Sequence, residues 1–195
     1  MQLGSMEKRY LLRISRRAIE EELAPARGAE GVSGVHEEPP TEELLAPRGA
    51  FVTLRIPAEE GDLRLRGCMG VVVATRPLVE SVRDSAVSAA FRDPRFPEMT
   101  AGELGRCEIE ISVLSEMIPC SPEEVVPGRD GLLINYGPAS GLLLPQVAVE
   151  QGWDRITFLR HLCRKAGVAS DCWEDPGARL ERFTATVFSE EELYT

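Results

Sequence analysis

Histidine, lysine and asparagine are all scarce in this chain: two, two and one among 195 residues. With only His36 and His161 on offer, a histidine-rich metal centre is excluded and a cysteine nucleophile has few candidate bases. Almost all the basic charge is arginine, 20 of the 22 Lys and Arg residues, a bias that looks more like GC-rich coding than like a function. None of the five cysteines (Cys68, Cys107, Cys120, Cys163, Cys172) forms a C-x-x-C pair. Zinc-finger spacing and a regular disulfide framework therefore both fail, and reduced thiols in a cytoplasm are the expectation. No run approaches the ~20 apolar residues that a spanning helix needs. Lys8, Arg9, Arg13, Arg16 and Arg17 interrupt the start of the chain, which argues against a signal peptide. The phosphate-binding loop, the dinucleotide-binding glycine pattern, H-E-x-x-H and G-x-S-x-G are missing as well.

Acid is what the chain has in excess. Thirty-two Asp and Glu against 22 Lys and Arg give a net charge of −10, which disfavours generic nucleic acid as a partner. A hydrophobic fraction of 43% is ample for a core, in one ordinary domain or two small lobes. Residues 1–6 are set aside as a leader or expression scar, 25–40 read as a solvated loop containing His36, and 189–195 as an acidic tail.

Hydrophobic periodicity supplies the elements. Leu11, Leu12, Ile14, Ala18, Ile19 and Leu23 predict a helix over 7–24. Val52, Leu54 and Ile56 alternate, as do Leu63 and Leu65 after a turn at 57–62. Pro77 opens a helix with Leu78, Val79, Val82, Ala86, Ala89 and Ala90 on one stripe, and Pro94 and Pro97 end it. Cys107, Ile109, Ile111 and Val113 form one face of a strand whose other face carries Glu108 and Glu110, about 7 Å apart. A polar sheet face is the commoner reason for such a pair than cation binding. Strands at 132–135 and 142–144 form a hairpin, Pro145 opens a short helix, and 154–166 is a helix capped by Asp154 with Ile156, Leu159, Leu162 and Cys163 inward. Phe183, Ala185 and Val187 make a closing strand. Paired strands between groups of helices predict an α+β fold with a largely antiparallel sheet.

The most unusual segment is Leu65-Arg66-Gly67-Cys68-Met69-Gly70. Alternation puts Leu63, Leu65, Met69 and Val71 on the core face and Cys68 on the other, beside Arg64 and Arg66. Guanidinium groups beside a thiol favour the thiolate, the reactive form, and flanking glycines let a ligand or another backbone approach. The competing account is a small cysteine packed under a helix, and periodicity leaves both open. Cys107 and Cys163 lie on core stripes, Cys120 and Cys172 in loops without an activating neighbour, and His161 opposite its helix's apolar stripe.

Taken in order, several segments form one pattern. They are 48–54 (RGAFVTL), 65–70 (LRGCMG), 89–96 (AAFRDPRF), 109–114 (IEISVL), 128–131 (GRDG), 144–148 (LPQVA), Gly152-Trp153-Asp154 and 162–167 (LCRKAG). Together they resemble the AMME-syndrome candidate-protein domain, known in microbes as protein A of the AmmeMemoRadiSam system. The resemblance covers residues 7–188. It implies an α+β fold with an antiparallel sheet in two unequal lobes with a cleft between them, the larger built from both chain ends and the smaller from the middle. The family hallmark LRGCIG appears here with Met69 for Ile, a tolerated swap. No established reaction, metal or cofactor comes with the resemblance; association with Memo-type and radical SAM proteins does.

The expected function is a cytoplasmic component of a modification or redox pathway, with a small-molecule or substrate cleft around Arg64, Arg66, Gly67, Cys68, Met69 and Gly70, and Cys68 as the candidate catalytic residue. The alternative is a non-catalytic adaptor for a Memo-type or radical SAM partner, using Arg92, Asp93, Arg95 and Phe96. No membrane role is expected.

Overall fold

Helix α1 (Ser5–Leu23) leads into two strands, β1 (Ala50–Pro57) and β2 (Leu63–Val71). Helices α2 (Leu78–Phe91) and α3 (Ala101–Leu104) and strands β3 (Glu108–Leu114) and β4 (Ile118–Pro119) follow. Next come β5 (Gly131–Tyr136), β6 (Ala139–Leu143), α4 (Pro145–Glu150) and α5 (Arg155–Lys165). Strands β7 (Ala178–Phe183) and β8 (Ala185–Ser189) and helix α6 (Glu190–Tyr194) close the chain. The structure is a computed structural model and describes residues 3–24, 38–58, 62–73 and 75–194. Most of the expected loop at 25–40, with His36, and part of the turn at 57–62 lie outside the described residues. Two four-stranded sheets form, in the orders β2-β1-β3-β8 and β4-β7-β5-β6, with antiparallel pairing. The fold is α+β.

The chain divides into two units, Met1–Val113 with Thr186–Thr195, and Leu114–Ala185. In the first, Val52, Leu54 and Ile56 of β1 and Ile109, Ile111 and Val113 of β3 bury one sheet face. Leu11, Leu12 and Ile19 of α1 and Leu78, Val82, Ala86, Ala89 and Ala90 of α2 belong to the same core. Each fully buried Leu or Ile contributes about 1.5–3 kcal/mol, and the alanines let α2 lie close against the sheet. In the second unit Leu132, Ile134 and Leu180 meet Phe158, Leu159 and Leu162 of α5. Asp154 caps α5 by accepting the Thr157 N–H at 2.7 Å.

Several local expectations change. A bulge in the β1–β2 pairing falls between Leu54↔Gly67 and Arg55↔Leu65, leaving Arg66 as the extra residue. Beyond it the faces exchange: Leu65 lies opposite Arg55 and Arg64 opposite the core residue Ile56. Leu63 and Leu65 therefore share the face of Cys68, and Arg64 does not. Leu63 and Val71, expected in the core, are 38% and 42% exposed. The closing strand is two strands: β7 ends at Phe183 in the second sheet, and β8 joins the first with Phe188 buried and Val187 exposed. Ile156 is exposed, one turn too early to reach the core that Leu159 and Leu162 enter.

The chain ends are more structured than their composition suggests. Leu3 is buried in the first core and α1 begins at Ser5, so of the residues set aside as a leader, 3–6 belong to the fold. Glu190, in the expected acidic tail, accepts from Arg16 Nη2 at 2.6 Å and from the Ile109 N–H at 3.0 Å. Arg16 also donates to the carbonyls of Leu104 and Cys107, which ties α1, α3, β3 and α6 together. The thiols are not all reduced: Cys163 and Cys172, both buried, form a disulfide. Cys68, Cys107 and Cys120 are free.

Candidate functional site

Strand β2 is an edge of the first sheet, so its outer backbone groups need partners from elsewhere. The loop after α2 supplies them. Asp93, buried at the end of the helix, accepts the Cys68 N–H at 2.9 Å, and Arg95 Nη2 donates to the Cys68 carbonyl at 3.3 Å. Arg95 in turn grips Asp93 with Nε at 2.9 Å and Nη2 at 2.7 Å. The Arg95 guanidinium holds the Asp93 carboxyl far below the ordinary carboxylate range, helped by the Cys68 N–H against the cost of burial. Asp93 is thus a fixed anion and no proton donor at neutral pH.

Arg66, expelled from the ladder by the bulge, turns inward with a side chain only 5% exposed. Its Nε donates to Glu103 Oε1 at 2.8 Å and its Nη2 to the Pro97 carbonyl at 2.9 Å. Glu103 also closes a capping box on α3, accepting the Thr100 N–H at 2.9 Å and hydroxyl at 3.0 Å. The Arg66 contact, then those of Thr100, draw the Glu103 carboxyl down to about 2. Both guanidinium groups lie within cation–π range of the Phe96 ring, that of Arg66 at 5.8 Å and that of Arg95 at 5.5 Å from its centre.

The glycines of the motif are spacing devices. A Cβ on Gly67 would stand 2.1 Å from the Ala89 carbonyl oxygen of α2, and one on Gly70 2.4 Å from the Ala50 carbonyl oxygen. Their neighbours belong to this chain itself, the Ala89 backbone for Gly67 and the Ala50 backbone with the Phe51 ring for Gly70, so they serve close packing first. Met69, opposite Val52, packs partly against the core.

Cys68 is what remains. It lies opposite Thr53, on the sheet face turned away from Val52 and Leu54, and is half-buried. The Thr53 hydroxyl donates to its sulfur at 3.4 Å. Thr53 and Ser112 on this face are buried, and Glu110 pairs with Arg55 at 3.7 Å. The expected flanking by Arg64 and Arg66 is corrected: Arg66 is committed to Glu103, Arg64 belongs to the other face, and the nearby cation is Arg95, on the Cys68 backbone. No base hydrogen-bonds to the Cys68 sulfur among the described residues. His161 stacks on Trp153 in the second unit, with ring centres 3.9 Å apart. Burial pushes the Cys107 thiol up to about 11 and raises that of Cys120.

The structure thus gathers Arg66, Gly67, Cys68, Asp93, Arg95 and Phe96, and leaves Arg64 and Arg92 exposed outside that network. Sequence reasoning missed Glu103 and Thr53. The T-x-x-E spacing of Thr100 and Glu103 announces the capping box, though nothing in it announces Arg66. Among the described residues no cluster of His, Cys, Asp or Glu could hold a metal ion, and no helix is long and apolar enough to cross a membrane.

A family model, AMMECR1, matches residues 12–188, a span that takes in both sheets and the whole Cys68 neighbourhood. The chain belongs to the AMMECR1 family. Among its AMMECR1-family relatives, protein TK0174 of Thermococcus kodakarensis is 45% identical over 93% of this chain and 89% of its own. Protein MK0488 of Methanopyrus kandleri is 43% identical over 95% and 89%. The crystal structure of PH0010 from Pyrococcus horikoshii superposes with a TM-score of 0.80 at 40% identity, covering 93% of this chain and 90% of that one. The AMMECR1 fold is therefore the α+β arrangement described above.

Proposed function

We propose that the chain is a cytoplasmic component of a modification or redox pathway that engages its substrate at residues 66–70, with the Cys68 thiol as the reacting group. One observation carries the reading. Arg66, Gly67, Asp93 and Gly70 are consumed by internal contacts, while the Cys68 sulfur is half-buried with the Thr53 hydroxyl as its hydrogen-bond partner. Both backbone groups of Cys68 are pinned, so its side chain is aimed by a rigid support, as a reacting group requires. By the resemblance noted above, Memo-type and radical SAM proteins are the pathway partners. A reducing compartment is compatible with the Cys163–Cys172 disulfide, because both half-cystines are buried from soluble reductants.

Cys68→Ala and Cys68→Ser test the reading. Both are expected to stay within about 1 kcal/mol of the parent in urea unfolding, as substitutions outside a packed core do. Both are also expected to fail to complement a deletion of the gene in its host. Full complementation by both variants would remove the thiol from the function. The adaptor reading would then lead, supported by the exposed Arg92, Pro94 and Arg95 on a loop that Asp93 holds rigid.

A further inference from the structure

A cavity of about 480 Å³ borders the network just described, where the C-terminal ends of α1 and α2 meet the start of α3; Thr100 and Glu98 belong to both, and Cys68 does not line it. Leu23, Phe91 and Met99 give it an apolar floor, and Glu22, Arg92 and Glu98 line it with charge. The hydroxyl of Thr100, also on the wall, is already committed to Glu103. Glu22, Arg92 and Glu98 make no side-chain hydrogen bond or ion pair with another described residue.

We infer that this cavity binds a small zwitterion of the apolar α-amino-acid class, its ammonium held between Glu22 and Glu98 and its carboxylate by Arg92. Three features point to that class. The volume suits a ligand of amino-acid size and lies within the range of small-molecule sites. Two carboxylates, and two helix C-termini that each carry partial negative charge, favour a cationic group. A simple amine would leave the Arg92 guanidinium facing a like charge, whereas a carboxylate on the same ligand offers it a forked partner. The apolar floor then takes the side chain. This site is separate from the Cys68 thiol, and the inference goes beyond the function proposed for that thiol.

The test is calorimetric titration of the full chain with L-phenylalanine, with phenethylamine, which lacks the carboxylate, and with 3-phenylpropionate, which lacks the ammonium. L-Phenylalanine is expected to bind at least about tenfold more tightly than either truncated ligand. Arg92→Gln should weaken L-phenylalanine about tenfold while leaving phenethylamine within about twofold, and Glu98→Gln should weaken both. Cys68→Ala should change none of these affinities. Equal affinity for all three ligands, indifference of L-phenylalanine to Arg92→Gln, or no heat with L-phenylalanine at ~10 mM would each overturn the inference.

Discussion

Gly67→Ala is expected to destabilise the protein by about 3 kcal/mol or more, since its added methyl meets the shortest contact of any glycine among the described residues. The new Cβ would sit 2.1 Å from the Ala89 carbonyl oxygen and 3.0 Å from its carbonyl carbon, distances that side chains do not tolerate. Neither partner can yield cheaply. The clash is with the backbone of Ala89, a buried residue in the last turn of α2, and Gly67 is fixed in register against Leu54 beside the bulge. Relief requires α2 to lift from the sheet, opening space around Val82, Ala86 and Ala90. Urea unfolding measures the loss. Gly102→Ala, where an added Cβ meets nothing within 4 Å, is the matched control and should not destabilise.

Glu103→Gln is expected to cost about 2–3 kcal/mol, because it leaves the Arg66 guanidinium buried without its counter-charge. Removing one partner of a fully buried pair costs about 3–5 kcal/mol; the figure here is lower because the Glu103 side chain is 24% exposed. The same pair sets a pH dependence. The carboxyl is lowered from 4.5 to about 2 in the folded state, so its stabilisation is complete above the unfolded value and drains away as pH falls towards about 2. Asp93, also lowered, acts in the same direction. Acid unfolding of the parent should therefore be steep across that window, and Glu103→Gln should flatten it. Equal slopes for parent and variant would show that the pair contributes nothing.

Much of this fold was legible in local pattern. The alternation of Ile109, Ile111 and Val113 gives β3, and the stripe from Leu78 to Ala90 with two closing prolines gives α2, because each element buries one face and the period follows from that. What escaped depends on partners distant in the chain. The bulge at Arg66 exists because β1 and Glu103 together accommodate an extra residue, and neither is written in the period of β2. The break at Thr184 is a change of sheet inside an alternating apolar–polar stretch, so Phe183, Ala185 and Val187 mimic one strand face. The Cys163–Cys172 bond joins a helix to a loop, and a cysteine on an apolar stripe looks the same whether or not it is bonded. At the candidate site, the sequence marked Cys68, Gly67 and Arg66 as unusual without revealing that Arg66 and Gly67 hold the strand in place.

Site-resolved alkylation of the native, unreduced protein tests this division of labour most directly. A short iodoacetamide pulse, followed by denaturation and mass mapping, ranks all the cysteines in one experiment. Cys68, half-buried on a pinned strand, should label first. Cys107, buried with its thiol pushed up to about 11, should label only after unfolding, and Cys163 and Cys172 only after reduction. Labelling of Cys68 no faster than that of Cys107 would contradict the account, for the thiol would then be one more packing residue of the sheet.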